Sequence, residues 1–290
     1  MREPREQVRR PEVVVAVQKT GFGVVQKPLT KWEALFGNAA LRKGVLLILL
    51  ALAWEIGARQ VDNELVFPTF TATVGAFWTA IKSGVLPQRT AYSLRVLLQG
   101  YGAGLALAAV LTALATATRV GSDLLELLTS MLNPLPSIAL LPLAMLWFGL
   151  GNASLIFVLV HAVLWSVALN THAGFRGVSQ TLRMVGRNYG LSGVRYVTKI
   201  LVPAALPGIL TGLKIGWAFA WRTLIAAELV FGVSSGSGGL GWFIFENKNQ
   251  LETASVFAGL LTVILIGLGV ENLIFRTIER ATIHKWGMEH

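Results

Sequence analysis

Cysteine is absent from this 290-residue sequence, which excludes disulfides, thiolate metal sites and thiol nucleophiles. We also expect no secretory signal peptide, because the apolar run near the start, residues 13–17, is shorter than the roughly 7 to 15 residues that such a signal needs. We therefore expect any insertion into a membrane to use the apolar segments of the mature chain.

Charge is scarce, since 14% of the residues are charged whereas 54% are hydrophobic and the mean hydropathy is positive. This composition is typical of a protein whose solvent is the lipid bilayer. Basic residues outnumber acidic ones by 25 to 15, but they flank long apolar segments, where Lys and Arg report membrane orientation. The net charge of +10 therefore does not indicate a nucleic-acid partner.

No set of residues in the sequence is typical of a catalytic or metal site. His161 and His172 have no second ligand at metal-binding spacing, which favours structural roles for both. Paired carboxylates, a nucleophile beside a base, and a Walker phosphate loop of the form Gly-x-x-x-x-Gly-Lys-Ser/Thr are all missing. We expect this chain to hold no catalytic residue, no metal and no nucleotide of its own.

Apolar segments of near-membrane length recur along the chain and predict an all-α integral membrane protein with about six transmembrane helices. The predicted spans are residues 44–58, 91–117, 124–148, 154–170, 205–232 and 255–275. The expected organisation is a basic, largely disordered tail at 1–43, a transmembrane domain at 44–286 and a short tail at 287–290.

Prolines and glycines predict how the spans are shaped and packed. Pro134, Pro136 and Pro142 are expected to break the third span, because proline removes a backbone donor. Gly208, Gly212 and Gly216 recur every four residues and predict a close-packing stripe on the fifth span. A helix over residues 71–83 and a polar outer loop over 233–252 are expected outside the spans.

The distribution of basic residues predicts the orientation of the chain. With six spans, 18 of the 25 Lys and Arg residues lie in the segments on the side of the two termini, and four lie in the opposite segments. Because cytoplasmic segments carry the excess of Lys and Arg, we expect both termini of this multi-pass protein to be cytoplasmic.

The segment between the fourth and fifth spans, residues 172–203, carries five basic residues and no acidic one. A broken apolar stripe runs through it and predicts short amphipathic helices. Its members are Val185, Tyr189, Leu191, Tyr196 and Ile200. A helical element held between two membrane spans is well suited to docking on a soluble partner.

At this segment the chain resembles the permease subunits of ATP-binding-cassette (ABC) importers, whose cytoplasmic loop carries Glu-Ala-Ala, then Gly, then Ile and Leu-Pro. We call residues 172–203 the coupling segment. The positions that the resemblance assigns to ATPase coupling are Met184, Val185, Gly186, Arg187, Gly190, Arg195, Ile200 and Pro203. Met184 stands where the family has its glutamate, so we expect docking through the apolar stripe and the basic residues.

Further motifs place the resemblance in the nitrate, sulfonate and taurine branch of these permeases. They include Phe67-Pro68-Thr69, Asn133-Pro134-Leu135-Pro136-Ser137, Leu146-Trp147-Phe148-Gly149-Leu150-Gly151 and Ala226-Ala227-Glu228. The resemblance implies a location in the bacterial inner membrane, as half of a permease dimer that is expected to be a homodimer. It also implies two ATPase subunits that bind ATP and Mg, and an external substrate-binding protein.

Charged residues within the fifth span are costly in lipid, at about 2.5 to 3.5 kcal/mol each near mid-bilayer. One interpretation is that Lys214 reaches the inner surface and Glu228 lies near the outer surface. The functional interpretation is a path for a small anion, because the fork of an arginine pairs with oxyanions. Its proposed residues are Trp217, Trp221, Arg222 and Glu228.

Two other functions remain open on the sequence alone. Broken helices and membrane charges also occur in ATP-independent secondary transporters and channels, although no inverted repeat is found here. A purely structural membrane scaffold would leave Arg222 and Glu228 unexplained.

Overall fold

A computed structural model describes residues 37–231 and 238–284, and it contains no strand within those ranges. The α-helices are α1 (Ala39–Val61), α2 (Phe70–Lys82), α3 (Val85–Ala117), α4 (Arg119–Leu132), α5 (Leu141–Phe148), α6 (Asn152–Gly177), α7 (Gln180–Asn188), α8 (Gly193–Tyr196), α9 (Val202–Ala204), α10 (Leu206–Phe231), α11 (Leu240–Asn249), α12 (Thr253–Gly269) and α13 (Arg276–Glu279). A 3-10 turn, Ser137–Leu140, precedes α5, and π turns occupy Val197–Leu201, Val270–Phe275 and Arg280–His284. The predicted all-α class is confirmed for the described residues.

The chain divides into two compact units, one ending at Leu50 and the other beginning at Ala51. In the first unit, the described residues begin at 37, and side chains 46–50 each expose more than half of their surface, as on a lipid-facing helix. Helix α1 begins at Ala39, so the last residues of the predicted tail are helical. The rest of that tail, residues 1–36, and the short tail 287–290 lie outside the described residues.

In the second unit, α6 packs between α3 and α10, and small residues allow the close approach. A Cβ added at Gly100 or Gly104 of α3 would lie within 2.7 Å of a side-chain atom of α6. On α10, a Cβ added at Gly212 would lie 2.9 Å from the Asn170 Cβ. The predicted glycine stripe on the fifth span is therefore a close-packing surface against α6.

The third predicted span is broken, as expected, at Asn133-Pro134-Leu135-Pro136. Helix α4 and the pair formed by the 3-10 turn and α5 meet there at 88°. Pro142 does not add a second break, because it lies in the first turn of α5, where its missing N–H has no helical acceptor to lose.

Three helices in the described part of the chain are long and apolar enough to cross a membrane, namely α3, α6 and the continuous helix Thr253–Thr282. Two more spans result if each bent pair, Arg119–Leu132 with Ser137–Phe148 and Gly193–Ala204 with Leu206–Val230, is counted as one. The first predicted span, residues 44–58, falls in α1, which is not among these five, so the number six stays a prediction.

Two boundaries differ from the sequence-based expectation. Helix α6 continues to Gly177, so the first six residues of the coupling segment belong to it. The predicted outer loop contains α11, whose Leu240, Phe243 and Ile244 are buried. The helix could not be predicted from the polar composition of this region, because α11 is stabilised by tertiary contacts rather than by a long apolar stripe.

Candidate functional site: the coupling segment and the charged residues of the bundle

The coupling segment folds into the short helices that the sequence predicts, and Arg183 anchors them to the end of α6. Its Nε donates to the Val178 carbonyl at 3.0 Å, and its Nη2 donates to the Phe175 carbonyl at 2.5 Å. A cation at a helix C-terminus also opposes the negative end of the helix dipole. Arg176 is likewise engaged, in an ion pair with Glu126.

Two glycines of the coupling segment have specific backbone roles. Gly190 has a φ of +70° just after α7, its N–H bonds to the Arg187 carbonyl, and the Leu191 N–H bonds to the Gly186 carbonyl. This is a Schellman cap, whose left-handed position favours glycine. Gly186 is buried, and a Cβ there would lie 2.9 Å from the Ile200 Cγ1, so a small residue lets α7 pack on the following π turn.

The apolar stripe predicted in the segment is divided by the fold. Tyr196 and Ile200 are partly buried and line the space beside Gly186, whereas Val185 and Tyr189 face outward. We define the docking face as the exposed residues Met184 (56% exposed), Val185 (41%), Tyr189 (82%) and Val194 (78%) together with the exposed Arg187 and Arg195. Pro203, the last of the predicted coupling residues, is partly buried in α9.

The four residues predicted to line a path do not share one face of α10. Trp221 is 5% exposed and donates from Nε1 to the Val263 carbonyl at 3.3 Å. The Trp217 ring meets Tyr101 edge to face at 5.6 Å. Arg222 is exposed instead, with its guanidinium 5.1 Å from the Phe219 ring.

Glu228 is buried and holds the start of α11 against α3. Its carboxylate accepts a hydrogen bond from the Ser93 hydroxyl at 2.7 Å and another from the Gly241 N–H at 2.8 Å. The Leu240 N–H donates in turn to the Ser93 oxygen at 2.8 Å. The path assignment of these four residues stays a prediction, and the geometry adds a structural role for Glu228.

Lys214 pairs with two carboxylates, and the interpretation that it reaches the inner surface stays a prediction. Its Nζ lies 2.6 Å from a Glu279 carboxylate oxygen and 3.2 Å from one of Glu271. These pairs link α10 to the last helical stretch and lower the cost of a cation within a span.

A cavity of about 480 Å³ at the start of α3 was missed by the sequence analysis. It is lined by Gln88, Arg89, Tyr92 and Arg95, which fall mostly on one face of the helix. Arg89 is held by the Gly238 carbonyl at 2.9 Å and by Glu246 at 3.2 Å. Arg95 is exposed and forms no hydrogen bond or ion pair with the described residues. The spacing of Gln88, Tyr92 and Arg95 at i, i+4 and i+7 was the available signal.

The chain is similar to known membrane transport proteins. Residues 100–282 match the family described as binding-protein-dependent transport system inner membrane component. A putative aliphatic sulfonates transport permease of Escherichia coli (strain K12) is 33% identical over 242 residues, which cover 83% of this chain and 88% of that protein.

Two other relatives carry different solute names. The taurine transport system permease of Escherichia coli (strain K12) is 30% identical over 257 residues, covering 86% of this chain and 91% of that protein. The nitrate import permease of Synechocystis sp. is 28% identical over 248 residues, covering 83% and 88%. This chain therefore belongs to the family of binding-protein-dependent inner-membrane transport components, the permease subunits of ABC importers.

Proposed function

We propose that this chain forms the translocation path of an ATP-driven importer for a small anionic solute such as nitrate, taurine or another sulfonate. The observation that carries the proposal is the docking face, which exposes large apolar and cationic side chains on a segment held between two long helices. Exposed apolar clusters of this kind are typical of protein interfaces.

The docking face is well placed to pass a movement into the membrane. The coupling segment continues α6 at one end and joins α10 at the other, across a bend of 76°. A displacement of the docking face therefore acts on both helices. In the proposed alternating-access cycle, ATP and Mg bind the two partner ATPases, their closure opens the homodimer outward, and hydrolysis resets it.

The solute side lies at the far end of α10. Glu228 near the end of this 26-residue helix bonds to Ser93 beside the Arg89 and Arg95 cavity, whereas the coupling segment precedes its first residue. At 1.5 Å per residue, the part of α10 from Leu206 to Glu228 spans about 33 Å, roughly a membrane thickness. We assign the cavity to the external side, where a binding protein delivers the anion, and both termini to the cytoplasm.

Arg95 is the residue most suited to receive the anion, because its guanidinium lines the cavity and forms no ion pair with the described residues. Arg95→Gln is expected to raise the KM for uptake about tenfold, the loss of one charge-assisted contact. Arg59→Gln is the matched control, since Arg59 is exposed and pairs with Glu55 within α1. Equal KM values for the two variants would contradict the assignment.

Reconstitution tests the transport function itself. Proteoliposomes containing this chain with its ATPase subunits and binding protein should accumulate the solute when ATP is supplied, and vesicles with this chain alone should not. Uptake by this chain alone would instead favour the ATP-independent transporter or channel.

Charge reversal tests the docking face. Arg187→Glu combined with Arg195→Glu should weaken association with the ATPase subunits about tenfold at low salt, and the effect should shrink as salt screens the charges. The control is Arg276→Glu with Arg280→Glu, two exposed arginines outside the segment. Unchanged binding at physiological salt would count against docking through these residues.

A further inference from the structure

A second cavity, of about 310 Å³, lies at the end of the bundle that carries the coupling segment. It forms where the end of α3 and the start of α4 meet the last turns of α6 and Arg183 of α7. Its polar lining includes Thr116, Arg119, Ser122, His172, Arg176 and Arg183, and no acidic residue lines it. Three arginines thus line a space that could hold an ion and several waters, at roughly 30 Å³ per water.

The positive charge of this cavity is only partly compensated by the described residues. Arg176 pairs with Glu126 of α4. Arg183 donates to carbonyl oxygens, which are neutral acceptors. Arg119 is exposed and makes no hydrogen bond or ion pair with the described part of the chain. Two of the three lining arginines, Arg119 and Arg183, therefore have no ion-pair partner among the described residues.

Arg119 also occupies an unfavourable position for a cation. It is the first residue of α4, where the positive end of the helix dipole repels a guanidinium. The same end of the helix attracts an anion. An anion between Arg119 and the helix would therefore be attracted by both and would replace their mutual repulsion. Asp123 lies one turn along α4 from Arg119, but no carboxylate among the described residues forms an ion pair with it.

His172 and Ser122 add hydrogen-bonding groups to the wall. The His172 Nε2 lies 3.1 Å from the Ser122 Oγ, and the imidazole is 6% exposed. Its Nδ1 has no hydrogen-bond partner among the described residues. A polar buried histidine, a hydroxyl and three arginines form a lining suited to an oxyanion rather than to an apolar molecule or a cation.

We propose that this cavity binds a phosphate-type oxyanion, supplied either by free sulfate or phosphate or by the headgroup of an anionic lipid. A bound oxyanion would connect Arg119 of α4 with Arg183, which anchors the coupling segment to α6. The bound oxyanion therefore stabilises the position of the coupling segment relative to α4. The inference concerns binding to this chain and does not rest on the proposed transport function.

Binding is measured on the full chain in phosphatidylcholine nanodiscs, with sodium sulfate titrated against chloride at constant ionic strength. Thermal unfolding and amide hydrogen exchange in residues 178–203 are followed. Arg119→Gln is the test variant, because Arg119 has no partner among the described residues whose loss would disturb folding. Arg280→Gln, another exposed arginine, is the matched control.

Sulfate should raise the unfolding temperature and slow exchange in the coupling segment for the wild type and for Arg280→Gln. For Arg119→Gln the apparent affinity should fall about tenfold or more, the loss of a charge-assisted contact. This result assigns the site to a free oxyanion.

Nanodiscs that also contain phosphatidylglycerol distinguish the second source. If sulfate has no effect but phosphatidylglycerol protects the wild type and Arg280→Gln and not Arg119→Gln, the ligand is a lipid headgroup. If neither sulfate nor phosphatidylglycerol separates Arg119→Gln from Arg280→Gln, the proposal is overturned.

Discussion

The interface between α6 and α10 and the docking face of the coupling segment are built from similar residues but use them in opposite ways. Val163 and Val167 of α6 are 0% and 6% exposed against the glycines of α10, whereas Val194 of the coupling segment is 78% exposed. The packed interface has its partner within the chain. The docking face, in the proposed function, has its partner in another protein. Substitutions should therefore damage folding in the first region and association in the second.

The largest effect is expected at the packed interface. Gly212→Leu would force a side chain into Asn170 and the Val167 backbone, where even a Cβ would lie 2.9 and 3.3 Å from the nearest atoms. Because backbone atoms move only at a large energetic cost, we expect the free energy of unfolding to fall by about 3 kcal/mol or more, with little folded protein. Gly102→Leu is the control, since a Cβ there meets nothing within 4 Å. The measurement is the yield of monodisperse protein and its thermal unfolding; equal behaviour would contradict the close packing.

A smaller loss is expected from the buried carboxylate that joins α10 to α3 and α11. Glu228→Ala leaves the Ser93 hydroxyl and the Gly241 N–H without their acceptor, at a cost of about 2 to 3 kcal/mol. Thermal unfolding in detergent measures this cost, with Glu64→Ala at an exposed position as the control. A shift no larger than that of Glu64→Ala would show that the network adds no stability.

The smallest effect on folding is expected on the docking face. Val194→Ala should leave the unfolding temperature unchanged and weaken binding to the ATPase subunits by about 1 kcal/mol, the transfer free energy of the removed methyl groups. Val120→Ala is a close match, because Val120 is 77% exposed at the start of α4. If Val194→Ala lowers stability instead, or if both variants weaken binding equally, the contrast between the two regions fails.

Much of the helical architecture was predictable from the sequence because its signals are local. Proline removes a backbone donor wherever it stands, so the break near Pro134 followed from the residue itself. The stripe of Gly208, Gly212 and Gly216 follows from helical periodicity, and the family motifs follow from their order along the chain. The polar segment containing α11 could not be interpreted in this way, because contacts of Leu240 and Phe243 hold the helix in place.

The pairing of the charged residues could not be predicted from the sequence. The sequence shows five basic residues in the coupling segment without distinguishing them. The fold commits Arg176 to Glu126 and Arg183 to two carbonyl groups, and it leaves Arg187 and Arg195 exposed. Which cation pairs and which stays exposed depends on atoms brought close by long-range packing.

The sequence by itself determined the helical membrane class, the family and the place of the coupling segment, because hydropathy, proline chemistry and motif order act over short stretches of chain. Only the tertiary structure decided that Glu228 joins Ser93 to α11, that Arg222 faces away from Trp221, and that two arginine-lined cavities lie near opposite ends of α10. Cavities and buried hydrogen bonds join residues far apart along the chain, and their geometry exists only once the helices have packed.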